Sequence, residues 1–452
     1  MLAGIFKNLF KNKSGLQPIK EKVVEEVAVE KTSTQEKNAE EKPLTKKEIA
    51  ILEVMEKTGW SRKKTIRKMR EIKEKYGISF SKYAKKEIYN IPEEELDAKC
   101  QEISYKIKRN KEKKAERKSR EEMAQQEREE SIQELITITG WDRETVEAKV
   151  QEARKRTGVG VKEYCQYRFY ELEESVQEEV FLINHSRKIA KEYSATPELR
   201  TILCDKEMTN NYFPELVRRP WCVTNNLTLE RFMEVFEGSD RIFYKPLGGR
   251  GGVGVKKYNY SKETAEEIYN ELMTLPTGVV EQFLVQHSKM SELAPSAVNT
   301  VRVVTISSFS RDILEEGKHL DIAYVRLKMG GVNSLVDNLH GGGMVAAVDI
   351  EKGVLITDAV DGAGNVYSKH PGTGMEIKGF EIPFYDEVVK MVKEVIETKK
   401  LEGYLGWDIA ITENGPELIE LNLTPGVILY TIPYIIPEKK GLKAHMMRYL
   451  EN

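Results

Sequence analysis

Hydrophobic residues recur at two different periods along the chain, and the change comes near residue 181. Before it, apolar residues such as Ile66, Met69 and Ile72 follow the spacing of amphipathic helices. After it, short β-branched runs alternate with glycines and helical patterns, which predicts strands at 242–245, 278–283, 300–307, 322–328, 344–349, 404–412 and 417–421. Residues 383–400 form a long amphipathic helical pattern. The predicted fold class from residue 181 is therefore α+β with many antiparallel strands.

The helical part contains an internal repeat. Two segments beginning at Thr58 and Thr139 align without a gap, an offset of 81 residues. Each is predicted to fold as helix, glycine turn and helix, with Ser61 and Asp142 as N-caps. Two copies are too few for a solenoid, so we expect an all-α region with two small repeated modules.

The same patterns predict the domain organisation. Residues 14–42 lack aromatic residues and helical apolar spacing, so they are predicted to be a disordered linker. The predicted segments are 1–43, an amphipathic start and linker; 44–100, the first repeat; 101–130, a charged helical connector; 131–180, the second repeat; and 181–452, the α+β domain.

Composition narrows the functional classes. The chain has 452 residues and a net charge of -2, and acidic residues interleave with the basic ones in the connector, so no nucleic-acid partner is expected. Four cysteines form no CxxC pair and fit a reducing cytoplasm. No apolar run reaches the ~18 residues of a membrane span. Residues 1–13 carry apolar positions at helical spacing beside lysines, so peripheral membrane contact and a frayed or disordered start both stay open.

A glycine-rich segment follows the predicted strand that ends at Lys245. Five glycines lie within residues 248–254. Glycine turns let backbone N–H groups cradle phosphate oxygens, and Lys245 would add a positive charge. Gly249, Gly251 and Gly252 are therefore candidate nucleotide contacts, although a plain glycine hairpin stays open. Neither a Walker A loop nor a Rossmann fingerprint is present.

Three oxygen ligands are predicted to converge on one hairpin. Glu420 and Asn422 lie two apart on one strand, so both face the same side, and the Asn414-Gly415 turn brings them beside Asp408. Such hard ligands suit Mg²⁺ held together with phosphates, and an edge hairpin with solvated acids is the alternative. Arg302, on a preceding strand, is predicted to stabilise the charge on a transferring phosphoryl group, although a surface salt bridge would explain it too.

The order of these features resembles the ATP-grasp superfamily, most closely the sugar-transfer-associated ATP-grasp branch. The motifs that carry the resemblance are Asn299-Thr300-Val301-Arg302, Asp337-Asn338 with Gly341-Gly342, and Gly406-Trp407-Asp408. The resemblance covers residues 181–452 and does not extend to the repeats. It implies an ATP-grasp fold, in which two α+β subdomains clasp a nucleotide.

The resemblance also implies roles for individual residues. The implied nucleotide contacts are the phosphate lysines Lys206 and Lys245 and the adenine hinge Glu281, Gln282, Phe283 and Leu284. The implied magnesium ligands are Asp408, Glu420 and Asn422, and Arg302 is the implied residue of the acyl-phosphate step. The weaker substrate candidates are Asn299, Arg326 and Asn338. The cofactors implied are ATP and Mg²⁺. One departure concerns the acidic ribose ligand expected after the hinge, where this chain has Gln286-His287-Ser288.

The activity implied by the resemblance is ADP-forming ligation of a carboxylate to an amine through an acyl phosphate. Its implied substrates are small-molecule or peptide acids and amines, with sugar acids or amino acids of surface polysaccharide or peptide modification as the expected class. Phosphoryl transfer without ligation stays open, as does a catalytically inactive ATP-grasp-like scaffold that acts through the helical repeats. The partner of the repeats is left open.

Overall fold

The computed structural model describes residues 44–247, 254–332, 337, 339–426 and 441–451, with the backbone alone at 109–116, 120 and 340. The chain divides into two compact units between Gln125 and Gln126. The predicted N-terminal segment 1–43 lies outside the described residues, as do Gly249, Gly251, Gly252 and Asn338.

The helices of the first unit form one small core. They are α1 (Lys46–Thr58), α2 (Arg62–Tyr76), α3 (Phe80–Lys85), the 3₁₀ turn Ile88–Asn90 and the first part of α4 (Glu93–Thr139), in which the division between the units falls. Ile51 and Val54, three residues apart on α1, and Met69 of α2 are fully buried, and Trp60 is half-buried against this core. The apolar residues that recur at helical spacing in the sequence therefore form the core of this unit.

The second unit contains eleven further helices among its described residues. They are α5 (Arg143–Thr157), α6 (Val161–Gln166), α7 (Glu174–Glu178), α8 (Ile183–Glu192), α9 (Pro197–Leu203), α10 (Lys206–Tyr212), α11 (Leu229–Val235), α12 (Ala265–Thr274), α13 (Ser288–Leu293), α14 (Tyr385–Lys399) and α15 (Lys443–Met447), with 3₁₀ turns at Phe169–Glu171, Leu339–Gly341 and Arg448–Leu450. The long helix predicted at 383–400 is α14. No helix in the described ranges combines the length and apolarity that crossing a bilayer requires.

Two antiparallel sheets lie in the second unit. The small sheet has the order β1-β4-β2-β3, with β1 (Trp221–Val223), β2 (Arg241–Pro246), β3 (Lys256–Asn259) and β4 (Gly278–Gln282). The large sheet has the order β11-β10-β5-β6-β7-β8-β9, with β5 (Thr300–Ser307), β6 (Leu320–Met329), β7 (Met344–Val348), β8 (Ala359–Asp361), β9 (Val366–Tyr367), β10 (Gly403–Thr412) and β11 (Gly415–Asn422). All seven predicted strands are present, and the α+β class is confirmed.

The two faces of the large sheet pack differently. Val301, Val303 and Trp407 belong to the apolar core that includes the buried side of α14. The opposite face carries Val304 and Tyr404, which share a second core with Tyr164 and Phe169 of the second helical repeat. The predicted domain boundary between residues 180 and 181 falls inside this second core. Further along the same face, the residues become polar, and the candidate site lies there.

The two repeats have matching elements at the offset found in the sequence. Helices α2 and α5 both have 15 residues and start at Arg62 and Arg143, and each ends at a left-handed glycine, Gly77 or Gly158. Ser61 and Asp142 accept hydrogen bonds from the backbone N–H three residues on, which confirms both predicted N-caps.

The paired glycines give a matched prediction. Both have positive φ, so alanine costs about 1 kcal/mol at either position. A Cβ at Gly77 meets open space, whereas one at Gly158 lies 2.3 Å from Nδ2 of Asn184. Because the Asn184 side chain has to rotate away and give up its bond to the carbonyl of Thr157, we expect Gly158→Ala to reduce hydrogen-exchange protection of α5 by about two- to threefold more than Gly77→Ala reduces that of α2. Equal losses in the two helices would contradict this steric difference.

Candidate functional site

Charged side chains form a row across four strands of the large sheet. Glu420 of β11 pairs with Asp408 of β10, Asp408 with Arg302 of β5, and Arg302 with Arg326 of β6. Directly paired residues of antiparallel strands point to the same face, so these four side chains are neighbours. Asp408, Arg302 and Arg326 are buried, whereas Glu420 is exposed.

The centre of the row is a buried ion pair. Arg302 donates from Nε to Oδ1 of Asp408 and from Nη2 to Oδ2 at 2.5 Å, a two-pronged contact that fixes both side chains. Burial alone would raise the pKa of Asp408, but the charges of Arg302 and Lys328 hold that pKa well below its ordinary value. Asp408 is therefore an ionised carboxylate, as a metal ligand has to be.

Lys328 adds a second cation that the sequence analysis did not assign. It is buried, and its Nζ lies 3.4 Å from Oδ2 of Asp408 and 3.1 Å from Oδ1 of Asp337. Thr300, which pairs with Lys328 in the sheet, donates its hydroxyl to the other oxygen of Asp337. The period-two spacing of Tyr324, Arg326 and Lys328 on β6 was the signal that would have found it.

Each residue of the Gly-Trp-Asp motif on β10 has its own structural role. A Cβ at Gly406 would lie 2.9 Å from Cβ of Pro425 and 3.3 Å from Cδ of Arg302, so the motif needs glycine there. Trp407 points to the opposite face, where it is fully buried and donates from Nε1 to Thr305. Asp408 then returns to the polar face. The motif thus combines a close approach, a core anchor and a site carboxylate.

The predicted magnesium ligands lie at one end of this row. Asp408 and Glu420 are direct cross-strand partners, and Asn422 lies two residues beyond Glu420. The side-chain nitrogen of Asn422 is buried and makes no hydrogen bond to the residues that the structure describes. No group of three His, Cys, Asp or Glu side chains forms a metal site in the described ranges. Two carboxylates and an amide nevertheless suit Mg²⁺, so this ligand set fits the ion and stays a prediction.

A second charged cluster surrounds Lys245 on the small sheet. Lys245 Nζ donates to Oε2 of Glu281 at 2.6 Å, and Arg219 donates from Nε to the same oxygen at 3.0 Å. Arg219 also donates from Nη1 to Oε1 of Glu417 at 2.8 Å. Burial would raise the pKa of Glu281, but Arg219 and Lys245 lower it to about 2. Burial alone would lower the pKa of Arg219, but the carboxylates of Glu281 and Glu417 together raise it.

The two clusters meet on the β10–β11 hairpin. Glu417 pairs with Ala410, two residues along β10 from Asp408, which corresponds to roughly 7 Å along the strand. A β-bulge between Asp408 and Ile409 shifts the register, and it leaves Glu417 and Glu420 opposite residues of the same face. Lys245 and the Asp408 row therefore flank one region between the two sheets.

The predicted adenine hinge continues from β4. The backbone N–H groups of Gln282 and Phe283 donate to Pro220 and Arg241. Among the described residues, none accepts a hydrogen bond from the N–H of Leu284. The Phe283 ring contacts the Phe243 ring at 5.2 Å and the Arg241 guanidinium at 4.0 Å.

Lys206 is the first residue of α10, which Asp205 caps. Four residues later, Asn210 reaches Oε1 of Glu281 at 3.5 Å, and residues four apart share one face of a helix. Lys206 is therefore on the side of α10 that faces the Lys245 cluster. Its contact with a nucleotide stays a prediction.

Asn299 has a structural role in the loop before β5. It is fully buried, and its Nδ2 donates to Gln286 and to the carbonyls of Met290 and Ala294. Its Oδ1 accepts from the N–H of Gly330. The substrate contact predicted for Asn299 stays a prediction, and so does that of Arg326, which lies in the charged row beside Arg302.

Comparison with known proteins adds the following. Residues 223–446 match the sequence profile of the sugar-transfer associated ATP-grasp domain. Among curated proteins, none matches the chain.

Similar solved structures include three ligases or synthetases. D-alanyl-alanine synthetase A from Vibrio cholerae is 13% identical, with 57% of this chain and 66% of that chain covered and a TM-score of 0.35. D-alanine–D-alanine ligase from Bacillus anthracis is 13% identical, with 55% of this chain and 67% of that chain covered and a TM-score of 0.30. The ATP-grasp ligase PsnB, complexed with precursor peptide PsnA2 and AMPPNP, is 14% identical, with 51% of this chain and 53% of that chain covered and a TM-score of 0.27. This chain spans about half to two thirds of their lengths.

The profile match begins in β1 and ends in α15, so it contains the Lys245 strand, the Arg302 strand and the Asp408 hairpin described above. The resemblance stated from the motifs is thereby confirmed, and residues 223–446 belong to the sugar-transfer associated ATP-grasp family.

Proposed function

We propose that this protein is an ATP-dependent carboxylate–amine ligase that works through an acyl phosphate. The observation that carries the proposal is the row on the large sheet. Asp408 is ionised and fixed by Arg302, Lys328 lies beside it, and the exposed Glu420 is its direct partner. Carboxylates for a metal and cations for a phosphoryl group are thus adjacent on one face, as phosphoryl transfer requires.

In this proposal, the nucleotide lies between the two sheets. The N–H of Leu284 donates to the adenine edge, and Lys245 and Lys206 contact the phosphates. Asp408, Glu420 and Asn422 would hold Mg²⁺, which neutralises charge on the phosphate oxygens when it is bound. The glycines between residues 248 and 254 would cover the phosphates through their backbone N–H groups.

The reaction then has two steps. A carboxylate oxygen of the acid substrate attacks the γ-phosphorus, the bond to the ADP oxygen breaks, and an acyl phosphate forms. Arg302 and Lys328 stabilise the negative charge on the transferring group because they are buried and already oriented. An amine nitrogen next attacks the acyl carbon, the carbon–oxygen bond to phosphate breaks, and the amine gives up its proton to the departing phosphate.

The substrate class that we propose rests on the family description alone. Its association with sugar transfer supports a sugar acid or an amino acid as the acid, with an acceptor in surface polysaccharide or peptide modification. Arg326 is the residue that we propose for the substrate carboxylate, since it lies next to Arg302 in the row. Asn338 follows Asp337 and is proposed to contact the same substrate.

The test uses the full chain, because residues of the second repeat share a core with the large sheet. Calorimetry with ATP, with and without Mg²⁺, measures nucleotide binding. A panel of acids is then assayed for ADP release with hydroxylamine as the amine, which converts an acyl phosphate into a hydroxamate. We expect magnesium-dependent binding and acid-dependent hydroxamate.

Two outcomes would overturn the proposal. A folded chain that binds no nucleotide would favour a scaffold without catalysis. ADP formation in equal amounts with and without hydroxylamine, and without any hydroxamate, would favour phosphoryl transfer to a group other than a carboxylate.

A further inference from the structure

Arg219 lies at the junction of the two sheets, outside every motif that the sequence analysis used. Its side chain is almost completely buried, and its guanidinium contacts carboxylates from both sheets, Glu281 of β4 and Glu417 of β11. It also donates to the backbone carbonyl of Leu418 at 2.8 Å. No other described arginine joins acids of the small and the large sheet in this way.

The segment around Arg219 is bonded to both sheets by its backbone. The N–H of Leu418 donates to the carbonyl of Leu216, and the side chain of Arg218 adds a bond from Nη2 to the carbonyl of Pro416 at 2.9 Å. On the other side, Gln282 donates its N–H to the carbonyl of Pro220, after which the chain enters β1. Residues 216–220 therefore form a strap between the hairpin that carries Glu420 and the strand that carries the hinge.

The side chain of Glu281 connects this strap to Lys245. Its Oε2 accepts from both Lys245 and Arg219, and its Oε1 is 3.5 Å from Asn210. A lysine that contacts phosphate has to direct its ammonium toward the nucleotide and so weaken its bond to Glu281. Without Arg219, that movement would leave a buried carboxylate unpaired, which is strongly unfavourable. With Arg219 present, Glu281 keeps a partner.

We propose that Arg219 is a positioning residue for Lys245: it holds the Glu281 carboxylate between the sheets, so that Lys245 exchanges between that carboxylate and a nucleotide phosphate. The inference rests on the proposed function, since it assigns Lys245 to the phosphates. Arg219 itself touches no substrate. Glu417 and the carbonyl of Leu418 anchor its other side, which keeps the hinge and the Glu420 hairpin at a fixed separation.

The experiment is a double-mutant cycle on ATP affinity, measured by calorimetry in the presence of Mg²⁺ on the full chain. Lys245→Met removes the phosphate contact, and we expect ATP affinity to fall by about 10- to 100-fold. Arg219→Lys keeps the charge but cannot bond both carboxylates and the carbonyl, and we expect a fall of about tenfold. In the Lys245→Met background, Arg219→Lys should change the affinity by less than about twofold.

Urea unfolding of each variant separates positioning from simple destabilisation. If Arg219 only supported the fold, Arg219→Lys would lower stability in both backgrounds. Its loss of affinity would then multiply with the loss caused by Lys245→Met. Such multiplication overturns the inference. If Arg219→Lys does not fold, Glu417→Gln takes its place in the cycle, because it weakens one anchor of Arg219 without changing shape. We then expect about a threefold loss of affinity that disappears beside Lys245→Met.

The wild-type measurement distinguishes the two proposals. Wild-type protein that binds no Mg-ATP contradicts the nucleotide site, and with it this inference. Wild-type protein that binds ATP, together with effects that multiply, contradicts the role of Arg219 alone.

Discussion

Glu420→Gln is expected to leave the chain folded and to lower ATP turnover by about two to three orders of magnitude. The fold should survive because Glu420 is exposed, forms no ion pair with the residues that the structure describes, and has nearly the same shape as glutamine. Turnover should fall because the predicted metal site loses one of its two carboxylates. The measurement is ADP release at saturating ATP across a magnesium titration.

The magnesium titration gives the Glu420 prediction its specificity. A weakened metal site requires more Mg²⁺ for half-maximal rate, so part of the lost activity should return at high magnesium. Glu394→Gln is the matched control, because Glu394 is an exposed glutamate on α14, which packs against the opposite face of the large sheet. Unchanged turnover of Glu420→Gln, or an equal loss in the control, would remove Glu420 from the metal site.

The strands that the sequence predicted are those whose own residues make them apolar. The run from Thr300 to Ser307 is buried at every position, and a β-branched run of this kind indicates a strand by itself. The strands that it missed are short or polar. β3 reads Lys-Lys-Tyr-Asn with mostly exposed side chains, and β1 and β8 have three residues each. Pairing with a neighbour makes these segments strands, and no local pattern contains that information.

The residues of the candidate site also divide into those that the sequence predicted and those that it missed. Lys245, Asp408 and Glu420 were predicted as site residues because a strand or a hairpin places them in a recognisable local pattern, and their roles stay predictions. Arg219 and Glu417 were missed because their contact joins residues 198 positions apart, and a single charged residue beside a proline or within a strand gives no sign of its partner. Buried ion pairs between sheets depend on the tertiary fold, so local sequence motifs point to candidate site residues but not to the contacts that join the two sheets.

Asp408→Asn is expected to lower the free energy of unfolding of the second unit by about 3 to 5 kcal/mol, the usual effect of removing one partner of a buried ion pair. The loss has a definite origin. Arg302 and Lys328 are both buried beside Asp408, and asparagine would remove the carboxylate that both contact. Lys328 would keep Asp337 as a partner, but Arg302 would lose its buried ion-pair partner among the described residues. Urea unfolding, followed by tryptophan fluorescence, to which the buried Trp407 contributes, measures the change.

A double-mutant cycle tests whether the loss comes from the unpaired charge. Arg302→Gln removes the cation, so the double variant should be less destabilised than the sum of the single variants by about 2 kcal/mol. Glu234→Gln is the control, because Glu234 pairs with Arg231 at 2.6 Å on the surface, where such a pair contributes about 0 to 1 kcal/mol. Additive effects at Asp408 and Arg302 would show that packing, not charge, is lost.

The pH dependence of stability provides an independent check on the Asp408 prediction. The pKa of Asp408 is held below its ordinary value in the folded chain, so its contribution is complete above the unfolded pKa of about 4 and is lost as the pH falls toward the folded pKa. Asp408→Asn lacks this contribution at every pH. The difference in stability between wild type and Asp408→Asn should therefore be constant above pH ~5 and narrow steadily below pH ~4. A constant difference down to pH ~2.5 would mean that Asp408 does not titrate as a carboxylate stabilised by Arg302 and Lys328.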